Sequence, residues 1–490
     1  MSDRTRWTAL AVVCAGSLMN VLDTTIVGVA LPAIQHDLGF GQESLAWVVN
    51  AYLLTYGGFL ILGGRLGDLF GHRRLFAVAI AGFTLASLAC GLATGPAFLL
   101  AARAVQGLAG AIASAVALSL VVTLFPEPGE RAKAMGVFGL ISAGGGSIGV
   151  LAGGVLTGLL SWHWIFWVNV PIGAVVFLAS LRVLPAGSAR HRGRLDVVGA
   201  GLVTAGMVLA VYAINGAGQN GWTSGRTTAL LATAVALLAA FATVESRTTD
   251  PLVPLRLLRL RSLTAAGVIG LLWAAAMFAN FFLTTLYLQQ VLGYSALQTG
   301  LAVLPSNLIM AVLSVGASAR LVARFGVKPP LVSGLLLAAT GLALLGRIPV
   351  DGHFAVDVLP GGILLGIGAG TALSPLLLAA TGDVSPKESG LASGIVNTAI
   401  MLGGALGLAV LANLAAGRTN HLTATGHPQL EALTSGYQIA YLAGAACAAL
   451  AALFAAQWLR PSVTPASPAP ASPAPAPTTE TALATATGNE

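Results

Sequence analysis

Apolar residues in this chain run in long blocks broken by short polar stretches, and the blocks carry almost no charge. They lie near 8–31, 46–66, 75–95, 97–124, 132–159, 164–184, 196–216, 226–245, 263–289, 297–320, 330–347, 357–380, 389–415 and 437–459. Each is long enough for the roughly 17–25 residues with which a helix crosses a bilayer. In hydrocarbon the backbone must satisfy its own polar groups, so the pattern predicts an all-α polytopic membrane protein with fourteen transmembrane helices. The blocks leave no room for a large soluble domain. The first lacks a small-residue cleavage site and a second follows after a short loop, so it reads as a spanning helix rather than a removed signal. An even number of crossings puts both termini on one side.

Basic residues say which side. With the amino terminus inside, every lysine and arginine except Arg103, Arg226, Arg347 and Arg418 falls on the cytosolic face, which is the positive-inside pattern of a plasma-membrane protein. The net charge of +7 therefore needs no nucleic acid to explain it. The Arg190–Arg194 cluster reads first as a topology signal and second as a contact for anionic membrane lipid. Composition agrees, with 56% hydrophobic and only 8% charged residues, against roughly a quarter charged in soluble domains. Cys14, Cys90 and Cys447 all sit in apolar blocks and read as packing residues. Trp47, Trp162, Trp164 and Trp458 fall near predicted membrane surfaces and read as anchors. The segment 461–490 changes to Pro-Ala-Ser-Thr repeats and is expected to be a disordered cytosolic tail. No nucleotide loop, metal-ligand cluster or nucleophilic constellation appears, and His421 and His427 are too far apart for one helical metal site. The expectation is a monomer with no cofactor or metal and no enzymatic activity.

Asp23 is the carboxylate that falls well inside an apolar block. A carboxyl at that depth costs about 2.5–3.5 kcal/mol on insertion scales, so it is kept for proton relay, cation binding or an ion pair, or else bonds a neighbouring helix as packing. Arg103 is the one basic residue deep in a block. Arg103, Gln106, Gly107, Gly110 and Ser114 follow a three-to-four spacing and give their helix one polar or small face. Pairing Arg103 with Asp23 is the simplest compensation, and snorkelling of Arg103 to the outer surface is the alternative. A neighbouring cation favours the carboxylate and dehydration favours the neutral acid, so alternation between wet and dry states would let Asp23 take and release a proton. Asn20, Tyr52, Tyr56, Gln106, Asn280, Thr284, Tyr287, Asn307 and Asn397 are polar or aromatic positions suited to a cavity for amphipathic molecules or to interhelical packing. Gly145, Gly149 and Gly153 recur every four residues, which permits close helix approach in a static contact or a sliding gate.

The chain repeats itself. Arg65-Leu66-Gly67-Asp68-Leu69-Phe70-Gly71-His72-Arg73 matches Arg320-Leu321-Val322-Ala323-Arg324-Phe325-Gly326-Val327-Lys328, and Gly145, Gly146 and Gly149 match Gly403, Gly404 and Gly407. Both matches fit two six-helix halves, 8–184 and 263–459, separated by two inserted helices over 196–245. That is a transporter architecture, with a substrate site expected between the halves.

The segment Gly64-Arg65-Leu66-Gly67-Asp68-Leu69-Phe70-Gly71-His72-Arg73-Arg74 resembles the loop signature of the major facilitator superfamily. Leu22-Asp23-Thr24-Thr25-Ile26-Val27-Gly28-Val29-Ala30-Leu31-Pro32 resembles the first-helix signature of its fourteen-helix drug:proton antiporters. Arg103-Ala104-Val105-Gln106-Gly107 and Trp162-His163-Trp164-Ile165-Phe166-Trp167-Val168-Asn169-Val170-Pro171 are further matches. Against the family pattern, Val150 stands for the usual Pro, Gly28 for Asn, His163 for Arg, and Ile400-Met401 for Arg-Gln. The resemblance implies alternating access, driven by a proton gradient, and export of drug-like amphipathic compounds. It implies Asp23 and Arg103 as coupling residues, Gly64, Asp68, Gly71, Arg73 and Arg74 as an inner gate, and Gly145, Gly149 and Gly153 as a gating helix. A nutrient symporter and a non-transporting sensor are the alternatives.

Overall fold

The computed structural model describes residues 3–185, 196–248, 251–385 and 388–459. The Arg190–Arg194 cluster, Lys387, Arg460 and the segment 461–490 lie outside them. The spanning helices are α1 (Asp3–Leu38), α2 (Trp47–Phe70), α3 (His72–Gly91), α4 (Pro96–Leu124), α5 (Pro128–Leu159), α6 (Trp164–Val183) and α7 (Val197–Asn220). They continue as α8 (Gly225–Arg247), α9 (Arg261–Leu286), α10 (Ala296–Val312), α11 (Lys328–Leu345), α12 (Leu359–Thr381), α13 (Ser389–Ala424) and α14 (Gln429–Trp458). Thirteen are long and apolar enough to cross a membrane. The remaining one, α10, carries Pro305, whose missing N–H interrupts the ladder, and runs on through a π turn at Leu313–Ala317 into a helix at Ser318–Phe325.

The packing repeats as the sequence does. α5 lies on α1 and α13 lies on α9, each through its glycines. A Cβ on Gly153 would come within 2.7 Å of the carbonyl oxygen of Ile26, and one on Gly403 within 2.6 Å of Leu271 backbone, so only glycine permits either contact. Gly71 closes α2 at φ 87° and Gly326 closes the helix that follows α10 at φ 77°, a left-handed conformation that glycine adopts without a Cβ clash. The two matched loop segments therefore end alike.

Across the pseudo-repeat, α5 packs on α10 and α2 packs on α13. α7 and α8 pair with each other, and α7 reaches both α2 and α13. Thr204 of α7 fills the space over Gly58 of α2, and Asn413 Nδ2 of α13 donates to the backbone carbonyl of Asn215 at 3.2 Å. α7 thus bridges α2 and α13, and α8 packs on α7.

The seam between the repeats is closed at the face opposite the termini. A π turn at Tyr287–Val291 continues α9 and turns two successive glutamines toward α1. Gln289 Nε2 donates to Val29 O at 2.9 Å, and Gln290 Nε2 to Gln35 Oε1 at 3.0 Å. Tyr437 of α14 donates to Gln290 Oε1 at 2.9 Å and extends the chain. Gly154 of α5 abuts the backbone of Ala296 and Gly300 on α10. Gly28 leaves room for the ring of Phe281, which occupies the position a Cβ would take.

Candidate functional site

Four helices converge on one carboxylate. Asp23 sits on the face of α1 turned toward α4 and α6, with no exposed surface. Its Oδ2 lies 2.5 Å from Arg103 Nη1 of α4, and its Oδ1 accepts from Gln106 Nε2 at 2.7 Å and from Asn169 Nδ2 of α6 at 3.3 Å. Arg103 is 1% exposed and turned inward, so it does not snorkel. Its Nη1 also donates to Gln106 Oε1 at 2.7 Å, and its Nε to Val48 O of α2 at 3.1 Å. The guanidinium lies 4.5 Å from the Tyr52 ring centroid and 5.7 Å from that of Phe166, which adds cation–π attraction on the faces left without acceptors.

The local sequence makes this arrangement possible. Arg103 and Gln106 are three residues apart and share one helix face, so one side chain bonds the acid directly and the other bonds acid and arginine together. Gly107 keeps that face close to α2, because a Cβ there would lie 2.4 Å from Tyr52 O. Val48, Arg103 and Asn169 are the second, eighth and sixth residues of α2, α4 and α6, so their backbones lie within roughly 10 Å of the helix ends on the closed face at 1.5 Å per residue. An unpaired buried charge would be strongly destabilising, and here each ion is matched by the other and by neutral donors and acceptors.

Two members were not singled out from the sequence. Asn169 lies in the Trp162–Pro171 signature but reads there as part of a helix entry. Ser87 of α3 accepts from Asn169 Nδ2 at 3.1 Å and donates to Phe166 O at 2.8 Å, holding the amide in place. A serine in an apolar block is too common a feature to single out. Gln289 and Gln290 were also missed, because a regular helical period conceals the π turn that aims both at α1.

Below the ion pair, Asn20 Nδ2 donates to Gly110 O at 3.2 Å and Ser114 Oγ at 3.0 Å, while its buried Oδ1 has no partner. Tyr52 and Tyr56 stack with centroids 5.6 Å apart. Asn20, Tyr52, Tyr56 and Gln106 therefore form one group on the inner faces of α1, α2 and α4. Asn307 and Asn397 are partly buried, each donating to a carbonyl of its own helix, Val303 O at 3.2 Å and Ser393 O at 2.9 Å. Asn280 is partly buried on α9. Thr284 Oγ1 donates to Asn280 Oδ1 at 3.3 Å, one turn away on the same face of α9. The same hydroxyl bonds Tyr441 of α14 at 2.8 Å, and Tyr287, the first residue of the π turn, donates to Pro349 O at 2.7 Å.

At the terminal face, Asp68 Oδ1 lies 3.5 Å from His72 Nε2, and Arg73 donates to Leu181 O at the end of α6. Arg74 is exposed, and a Cβ on Gly64 would meet open space. Gly145 faces Leu18 and Val21, and Gly149 faces Leu22 and Thr25, so with Gly153 they form one continuous α1 contact.

The family model described as Major Facilitator Superfamily matches residues 13–408 and 320–487. The chain is 44% identical over 420 residues to the puromycin resistance protein pur8 of Streptomyces alboniger, covering 85% of this chain and 83% of that one. It is 39% identical over 410 residues to the cephamycin export protein CmcT of Amycolatopsis lactamdurans, covering 83% and 84%. Among solved structures, a bacterial homolog of the human lysosomal transporter Spinster, inward-facing and occupied, superposes with a TM-score of 0.67 over 94% of this chain and 98% of that one, at 16% identity. That last likeness is one of fold.

Proposed function

This chain belongs to the Major Facilitator Superfamily, and from that premise we propose that it exports drug-like amphipathic compounds, antibiotics among them, across the plasma membrane in exchange for protons. The observation that carries the coupling is the dehydrated Asp23–Arg103 pair, set beneath a seam held by non-covalent contacts. Relatives named for antibiotic resistance and export support the outward direction over uptake or sensing. The basic residues support a cytosolic terminal face.

In the conformation described, the opposite face is shut and Asp23 accepts a charge-assisted bond from Arg103. Parting α1 from α9 and α5 from α10 admits water from outside to the cluster. A proton taken on one Asp23 oxygen removes the charge that holds Arg103, whose guanidinium keeps Val48 O, Gln106 and the Tyr52 ring as partners. Once that face closes again and the cavity opens to the terminal side, the proton leaves by way of the polar group at Asn20, Tyr52 and Tyr56, and the ion pair re-forms. Asn280, Asn307 and Asn397 offer hydrogen bonds to a compound in the cavity between the repeats. Gly64, Asp68, Gly71, Arg73 and Arg74 act at the inner gate, and Gly145, Gly149 and Gly153 keep α5 close enough to α1 to move with it. One acid implies a small proton stoichiometry and neutral or monocationic cargo.

Dye efflux from vesicles under an imposed pH gradient tests the reading. Asp23→Asn is expected to abolish gradient-driven efflux at normal membrane expression. Rates equal to wild type would refute the coupling role, and accumulation of dye in place of exclusion would refute export.

A further inference from the structure

The glycine contact between α1 and α5 gives out toward the terminal face. Below Gly145 the helices part, and a cavity of about 380 Å³ opens between them, lined on α1 by Trp7, Ala11, Cys14 and Leu18 and on α5 by Val137 and Ile141. That volume falls in the range of small-ligand sites, about 300–1,000 Å³, yet no charged side chain lines it. Ala11, Trp7 and Val137 are exposed, so the groove opens at the surface of the bundle.

Both walls end in a cation. Arg4, Trp7, Ala11 and Leu18 lie on one face of α1, and Lys133, Val137 and Ile141 on one face of α5, so each basic residue stands one turn beyond an apolar stretch, toward the terminal face. Arg4 and Lys133 are exposed, and no ion pair among the described residues engages either. Arg6 spans the mouth from α1 to Glu130 of α5 at 2.7 Å and also pairs with Asp3, so these two acids are already matched. The buried Nε of Arg6 has no acceptor.

We propose that this groove binds an anionic phospholipid of the leaflet on the terminal face. An acyl chain lies along Ala11 and Leu18 against Val137 and Ile141, and the phosphate sits between Arg4 and Lys133. Transported cargo fits less well, because the walls present no polar group to orient it and the one chemical handle is the positive mouth. The lipid braces α1, which carries Asp23, against α5 where the glycine contact ends.

The test uses the full chain in nanodiscs of phosphatidylcholine with phosphatidylglycerol, with native mass spectrometry counting lipid retained on release. One phosphatidylglycerol per chain is expected. The double variant Arg4→Gln with Lys133→Gln should weaken its retention by roughly thirtyfold, from the attraction of two basic residues to an anionic headgroup. Ala11→Trp should fill the groove and remove retention in a chain that still folds; if that variant does not fold, the charge variant decides. Equal retention of both lipids, retention unmoved by the double variant, or displacement of the bound lipid by a transported dye would overturn the proposal.

Discussion

Gly154→Ala adds one methyl group where α5 crosses α10. A Cβ at that position would stand 2.8 Å from the carbonyl oxygen of Ala296, 3.2 Å from Leu297 Cα and 3.3 Å from Gly300 Cα. All three neighbours are backbone, so no rotamer change relieves the contact and the two helices must separate. Overpacking of this kind costs about 1–3 kcal/mol, and the cost falls on the closed face because that is where the crossing lies. The ratio of closed to open conformations should therefore drop by about 5- to 150-fold. Nitroxides at the exposed positions His36 and His427, on opposite sides of the seam, report the change as a longer distance in a pulsed dipolar measurement. Gly158→Ala is the control, since its nearest neighbour would be an ordinary 3.4 Å contact with Leu297 Cβ. If Gly154→Ala leaves the distance distribution unchanged in folded protein, the α5–α10 crossing does not hold that face shut.

Arg103→Ala leaves the Asp23 carboxylate buried without its cation and should lower stability by about 3–5 kcal/mol, read as loss of folded protein on size exclusion. The double variant Asp23→Asn with Arg103→Gln should restore folding yet remain uncoupled in the pH-gradient efflux assay. Gln290→Ala breaks the Tyr437–Gln290–Gln35 chain and should shift the His36–His427 distance in the same direction as Gly154→Ala, by the smaller amount expected of a hydrogen bond worth about 0.5–1.5 kcal/mol. Gly71→Ala forces a Cβ into the left-handed region at φ 87°; thermal unfolding in detergent should show a loss of about 1–2 kcal/mol, and an unchanged midpoint would mean the turn rearranges freely.

Much of this was legible along the chain because a bilayer leaves few choices. Apolar blocks of spanning length become helices, since no other open backbone structure satisfies its polar groups in hydrocarbon. An arginine and an aspartate in apolar blocks of one repeat need each other for the same reason, and the structure places them 2.5 Å apart. The glycine ladder at Gly145, Gly149 and Gly153 was visible as a spacing, but its partner, α1, was not. Asn169 and Ser87 escaped notice because each is ordinary in its own helix and acquires meaning only beside Asp23.

Linear pattern alone determined the helices, their number and the pairing demanded by two isolated charges, because burial in oil makes those consequences local and costly to evade. Tertiary structure decided which faces meet. A π turn of five residues redirected Gln289 and Gln290 onto α1, and the fold supplied Tyr287, at the start of that turn, with the carbonyl of Pro349 as its partner. Such a turn shifts every later side chain around the helix axis, and no regular period in the sequence records it.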